Sequence, residues 1–230
     1  MPRQNNNHNL ITMENPKSPI SEAYRSLRTN IQFSAIDQNI KVLMVASSKS
    51  GEGKTTTITN LAVTYAQEGK RVLLIDADLR KPSLQQVFQL TNRTGLTSIL
   101  LNQFPLMEVI RETSVDNLFV ITSGPIPPNP SEILGSQRML SFLEEVKEIY
   151  DVILFDTPPV LAVTDSLIVS SFCDGVLLVV HAGKVKKELV KKAKSSLDHV
   201  KAKILGVVLN NNSRSKADGQ YYYYYYGGKE

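Results

Sequence analysis

The sequence predicts an α/β fold, a parallel sheet flanked by helices on both faces. Three observations predict it. Six short apolar runs, KVLMVAS, RVLLID, NLFVIT, YDVILFD, DGVLLVV and AKILGVVLN, are rich in Val, Ile and Leu and hardly alternate with polar residues, the pattern of strands covered on both faces. Helical candidates separate these runs, and strands alternating with helices imply parallel pairing through right-handed crossovers. A glycine-rich, lysine-bearing turn follows the first run, at the strand end where such sheets bind ligands.

Along the chain, residues 1–18 are Asn-rich, with Pro16 near their end and Pro19 just beyond, and read as a flexible lead-in. SPISEAYRSLRTNIQFSA then fits a helix, with Ser18 or Ser21 as its cap and Ile20, Tyr24, Leu27 and Ile31 at helical spacing. Further helices are expected over 55–68, 83–90, 106–112, 131–149, 164–172 and 185–200. The last strand closes near Asn210, and SKADGQYYYYYYGGKE follows. Three parts result: a lead-in over 1–18, a folded domain over 19–212 whose first helix is set apart from the rest, and a flexible tail over 213–230.

The turn after the first strand reads Ser48-Lys49-Ser50-Gly51-Glu52-Gly53-Lys54-Thr55. It fits the phosphate-loop pattern G-x-x-x-x-G-K-[ST], with Ser48 in place of the first glycine. Gly51 and Gly53 let the backbone curl so that successive N–H groups face phosphate oxygens, and the helix that begins near Lys54 adds the positive end of its dipole. This chemistry calls for ATP and Mg²⁺. Gly51, Glu52, Gly53, Lys54, Thr55 and Thr56 form the nucleotide-binding turn, with Lys54 on the β- and γ-phosphates and the Thr55 hydroxyl on the metal. Two more strands end in carboxylates, VLLID at Asp76-Ala77-Asp78 and VILF at Asp156. Asp78 and Asp156 join Thr55 as metal ligands, directly or through water. The turn and its strand–helix setting resemble those of the P-loop NTPases of the MinD/ParA-like kind, and that fold is expected.

The phosphate loop, LLIDADLRKP and VILFDTPP together resemble the Walker A, A′ and B motifs of the bacterial tyrosine kinases of capsule and exopolysaccharide production, the BY-kinases of the CapB/Wzc cytoplasmic-domain family. SEAYRSLRTNI carries the E-x-x-R-x-x-R pattern as Glu22, Arg25 and Arg28, and GPIPPNPSEIL is similar to the family too. The six terminal tyrosines, Tyr221, Tyr222, Tyr223, Tyr224, Tyr225 and Tyr226, complete the set. The resemblance covers nearly all of the chain from residue 16. It implies an ATP-dependent protein-tyrosine autokinase acting on its own tyrosine cluster, in trans within a ring. It further implies catalytic roles for Lys54, Asp76, Asp78 and Asp156. Asp76 is the candidate base, and Glu22, Arg25 and Arg28 mediate assembly. Implied partners are a homo-oligomeric ring with an octamer as candidate size, a membrane adaptor that activates the kinase, tyrosine-phosphorylated protein substrates and a phosphotyrosine phosphatase. Lys49 falls where the deviant phosphate loop of MinD and ParA ATPases has its signature lysine. It is either an exposed loop lysine or one that reaches a neighbouring subunit's phosphates, and a MinD/ParA-type positioning ATPase is the alternative function. A non-catalytic nucleotide-binding scaffold is a third.

Composition bounds these readings. Of 230 residues 42% are hydrophobic and 21% charged, enough for one sizeable core. No apolar stretch approaches the ~20 residues that span a bilayer, so a cytoplasmic protein recruited to the inner face of the membrane by its adaptor is expected. Cys173, the lone cysteine, reads as a core residue. The eight lysines of residues 184–203 read as a solvated helix face or an approach to anionic lipid. Nucleic acid is not expected, because aromatic interleaving and a known binding motif are missing. Arg80 and Lys81 are candidates for holding phosphate or solvating a helix start, and Asn210 for contacting the base.

Overall fold

The computed structural model describes residues 10–34 and 40–211. Seven strands form one sheet: β1 (Val42–Ser47), β2 (Val72–Asp76), β3 (Arg111–Glu112), β4 (Leu118–Ile121), β5 (Val152–Asp156), β6 (Gly175–His181) and β7 (Ile204–Asn210). Their order is β3-β4-β2-β5-β1-β6-β7, parallel throughout except for the short edge strand β3, which runs antiparallel to β4. The inner strand β1 lies between β5 and β6, so the chain order reverses beside it and opens a crevice at its carboxyl end.

The expected parallel α/β architecture is therefore present, and the inner strands are apolar because both faces are covered; β7, expected to be covered likewise, is an edge strand with Val207 and Leu209 more than half exposed, and β3 is the polar pair Arg111–Glu112. Val42, Met44 and Ala46 of β1 join one core cluster, with Phe142, Leu143, Val169 and Leu197 on the helices of that side. Leu43 and Val45, pointing the other way, join a second cluster with Ile58, Leu61 and Ile31. The first face is covered by α5 (Leu96–Leu100), α6 (Leu106–Val109), α7 (Pro130–Leu134), α8 (Gln137–Ile149), α9 (Asp165–Ser170) and α10 (Lys187–His199). The second is covered by α2 (Pro19–Phe33), α3 (Lys54–Gln67) and α4 (Leu84–Val87), with the short α1 (Ile11–Glu14) against α3.

Several elements depart from the sequence reading. The single helix expected over 131–149 is two, a short one at Pro130–Leu134 and α8, because Gly135 ends the first and Ser136 caps the second by accepting the Met139 N–H. Residues 106–112 divide into a helical turn, Leu106–Val109, and β3. Ser18, not Ser21, caps α2, accepting the Ser21 N–H at 3.0 Å. Ser21 instead donates its hydroxyl to the carbonyls of Ile11 and Asn15. Ile20, placed in the apolar stripe of α2, is 57% exposed. Residues 10–18, expected to be flexible, pack on α3. Leu10 and Thr12 are buried, and Asn60 Oδ1 accepts both the Thr12 N–H (3.0 Å) and its hydroxyl (2.9 Å). An Asn-rich composition hid this anchor, because one apolar and one hydroxyl side chain suffice to fix a single turn.

Candidate active site

A cavity of about 730 Å³ opens at the carboxyl ends of the strands. Its wall includes the phosphate loop (Ser50, Gly51, Gly53 to Thr56), the loop after β2 (Asp78, Arg80, Lys81 and Ser83) and the Thr157-Pro158-Pro159 turn after β5. Gly51 and Gly53 hold φ of +81° and +94°, the left-handed region that the curl of the loop requires. Gly53 has a second constraint: a Cβ there would lie 1.9 Å from the Asn210 amide nitrogen. The loop delivers Lys54 as the first residue of α3, largely buried and lining the cavity, with the unpaired N–H groups of the helix start beside it.

Thr55 and Asp156 meet below this turn. The Thr55 hydroxyl donates to Asp156 Oδ2 at 2.6 Å and lies 3.2 Å from Ser83 Oγ. Asp156 is buried, and its Oδ1 has no hydrogen-bond partner among the described residues. A buried carboxylate oxygen without a donor, one hydroxyl away from a phosphate loop, is what a hard oxygen-seeking cation needs, so the residues present fit Mg²⁺. Burial pushes the Asp156 carboxyl above its ordinary range, while Lys54 pulls it down. Asp76 is pushed up as well, by burial first and then by the negative charge of Asp156.

The expected site residues fall into three positions. Gly51, Gly53, Lys54, Thr55, Thr56 and Asp78 line the cavity. Asp76 and Asp156 stand behind the wall. Asp76 is wholly buried, its Oδ2 accepting the N–H groups of Ser83 and Leu84 (2.9 Å each) and its Oδ1 that of Asp78 (3.2 Å). Glu52 turns its side chain away from the cavity, accepting the Ser48 hydroxyl at 2.5 Å and the Lys49 N–H at 2.6 Å. That contact explains serine at the position of the first glycine. Lys49 is exposed and off the cavity wall. Asn210 lines the cavity, but its amide donates to the Glu52 carbonyl (3.0 Å) and its oxygen accepts the Asn211 N–H (2.9 Å), so it fastens β7 to the phosphate loop instead of being free for a base.

On α2, Arg25 pairs with Glu22 at 2.6 Å, and Arg28 donates to the Thr64 carbonyl at 2.6 Å with Glu68 at 3.6 Å. The Cys173 thiol, partly buried, donates to the Val169 carbonyl at 3.2 Å and is pushed up by burial. The tyrosines Tyr221 to Tyr226 lie outside the described residues. Sequence reasoning missed Ser83, read only as the start of a helix, and Asp165, a pairing across 85 residues with no local signal. His181 and Lys184 also line the cavity; the histidine has no motif around it, and the lysine is masked by the run of residues 184–203. Among the described residues no helix is long and apolar enough to cross a membrane.

A family model described as an AAA domain matches residues 40–208. Tyrosine-protein kinase YwqD of Bacillus subtilis (strain 168) is 48% identical over 208 residues, 90% of this chain and 88% of that protein. The putative tyrosine-protein kinase CapB of Staphylococcus aureus is 43% identical, over 87% of this chain and 88% of its own length. Among solved structures, the chimerical protein CapA2B2 superposes with a TM-score of 0.87 at 42% identity, covering 89% of this chain and 90% of that one. The septum site-determining protein MinD of Pyrococcus horikoshii OT3, at 24% identity and a TM-score of 0.64 over 76% of this chain and 72% of its own, shares the fold alone.

Proposed function

The chain belongs to the bacterial tyrosine-protein kinases, within the wider AAA-domain group of P-loop ATPases, and from that premise we propose that it is an autokinase of its own C-terminal tyrosines. In this reading it transfers the γ-phosphoryl group of ATP to Tyr221–Tyr226 of a neighbouring copy within a homo-oligomeric ring. It thereby regulates capsular or exopolysaccharide synthesis. One observation carries the choice of acceptor. The last strand delivers the chain to the cavity rim, where Asn210 and Asn211 form part of the wall. Tyr221 follows Asn210 by eleven residues, a reach of at most ~36 Å extended and roughly 18 Å as a coil.

Phosphoryl transfer asks the protein for positioning and for neutralising charge, not for covalent chemistry. Lys54 and the loop amides bind the phosphates. Thr55 and Asp156 would hold Mg²⁺ with Asp78 at the cavity face, and when bound the metal neutralises charge on the β- and γ-phosphates. Asp76 is the proposed acceptor of the tyrosine proton; its buried oxygens accept the N–H groups of Ser83, Leu84 and Asp78, so the role requires the loop after β2 to shift and expose an ionised carboxylate. Phenol ionises near pH 10, so a carboxylate assists only as the proton leaves late in the step. Asp78 stands in front of Asp76, and comparing Asp76→Asn with Asp78→Asn tests which of them takes the proton. Glu22, Arg25 and Arg28 are assigned to ring assembly, and a membrane adaptor's cytoplasmic segment to activation and recruitment.

The test is incubation with ATP and Mg²⁺, with and without the adaptor segment, followed by mass spectrometry of the C-terminal peptide. Phosphotyrosine in the wild type and none in Lys54→Met is the expected result. ATP hydrolysis with an unmodified tail overturns the autokinase reading in favour of a positioning ATPase.

A further inference from the structure

The loop that carries Asp78 to the cavity is fastened from outside. Asp78 Oδ1 accepts the N–H groups of Arg80 (3.2 Å) and Lys81 (2.9 Å), a local turn that fixes Asp78 relative to Arg80. Arg80 in turn forks onto Asp165, the first residue of α9. Its Nε donates to Oδ2 at 2.9 Å and its Nη2 to Oδ1 at 3.0 Å. Ser131 joins the pair, accepting from Arg80 Nη2 at 3.2 Å and donating to Asp165 Oδ1 at 2.9 Å. The Asp165 side chain is 0% exposed and that of Arg80 39%. The adjoining Ser166 donates its hydroxyl to the Pro158 carbonyl in the turn that follows Asp156. The start of α9 therefore grips two loops at once, the one bearing Asp78 and the one leaving Asp156.

We infer that Arg80 and Asp165 form a positioning pair for the metal site, setting the separation between Asp78 and Asp156 by locking both loops to α9. Arg80 stands at the cavity wall and looks like a phosphate ligand. Its two-point engagement with a buried carboxylate assigns it instead to holding Asp78 in place. The guanidinium fork is needed because only a planar two-donor head fixes the angle of the loop as well as its distance. The inference rests on the assignment of Asp78 and Asp156 to Mg²⁺.

The experiment is titration of the full chain with a fluorescent ADP analogue, first in EDTA and then across Mg²⁺ concentrations. Arg80→Ala and Asp165→Asn should each raise the Mg²⁺ concentration for half-maximal tightening by about 10–100-fold, the range for residues that orient metal ligands. Affinity in EDTA should not change, and the double variant should be no worse than either single one. Arg80→Lys, which keeps the charge and loses the fork, should recover only part of the loss. Ser131→Ala should shift in the same direction by less. It and Arg80→Ala alter part-exposed side chains, so they carry the test if Asp165→Asn fails to fold. Weaker binding in EDTA for Arg80→Ala, with Asp165→Asn unaffected, would show Arg80 on the phosphates and overturn the proposal. So would an unchanged Mg²⁺ requirement in Arg80→Ala. Asp156→Asn is the control: if it keeps the full Mg²⁺ effect, the metal assignment itself is wrong, whatever the pair does.

Discussion

Thr55 Oγ1 donates to Asp156 Oδ2 at 2.6 Å, joining residues 101 apart in the chain. The hydroxyl is thereby held against a carboxylate whose other oxygen, Oδ1, is buried with no hydrogen-bond partner among the described residues. Removing either the cation's anchor or the phosphate's anchor should stop the chemistry without disturbing the sheet.

Lys54→Met and Asp156→Ala are accordingly expected to lose nearly all tyrosine phosphorylation, at least ~10²-fold in rate, the scale for a preorganised charge-stabilising group. Circular dichroism should match the wild type. Full phosphorylation in either variant, read by quantitative mass spectrometry, would remove the site assignment.

The buried carboxyls make stability depend on pH. Burial pushes both Asp156 and Asp76 up. Each therefore binds its proton more tightly folded than unfolded. The stability this contributes is present below the unfolded value near 4 and is lost as pH rises through the raised folded values. Asp156→Asn, which mimics the protonated form, should gain roughly 1–3 kcal/mol over the wild type at about pH 8 in EDTA and little at about pH 4. Thermal melts at both values read the difference; a gain independent of pH contradicts it. Mg²⁺ should narrow the gap at pH 8, because it binds the ionised wild-type site.

Gly53→Ala combines a side chain in the left-handed region with a collision on Asn210. The expected cost is about 1–3 kcal/mol of stability and loss of nucleotide affinity. Adding Asn210→Ala relieves the collision but not the φ of +94°, so the double variant should recover only partly, as denaturant melts and nucleotide titration would show.

Replacing Tyr221–Tyr226 with Phe should abolish phosphotyrosine in the C-terminal peptide and leave nucleotide binding intact. Each phosphate adds about −1.5 to −2 charges, so several on one tail reverse the formal +4 of the chain. We expect the assembly to loosen, seen as a smaller particle by light scattering before phosphatase treatment than after it. Identical sizes would exclude the charge mechanism.

Asn60→Ala should destabilise the fold by about 2–3 kcal/mol, since it strands two buried donors of Thr12. Urea melts test this, and an effect below about 0.5 kcal/mol would mean that the 10–18 segment is not anchored as described.

What was legible in the sequence follows from what is local. The inner strands show because covering on both faces leaves them almost no polar positions. The phosphate loop shows because its glycines and lysine are consecutive. Asp76, Asp78 and Asp156 show because each ends an apolar run. The Leu96–Leu100 helix was too short to display a period, and Gly135 and Ser136 were lost inside a longer helical pattern. Arg80 with Asp165, and Asn210 with Glu52, could not be read, because each pair forms only once the sheet has brought distant loops to one edge. Asn210 shows the difference: its place beside the nucleotide edge was legible, and its bond to Glu52 was not.

The register of β1 has a consequence for biosynthesis. Val42 is aligned with Ile153 and Leu43 with Gly175, so the middle of the sheet must wait for more than half of the polypeptide. A ribosome that has translated the phosphate loop has made none of the neighbours that hold it, and Asn210 is nearly the last residue needed. Early fragments cannot assemble the cavity, and folding begins late, governed by distant closures.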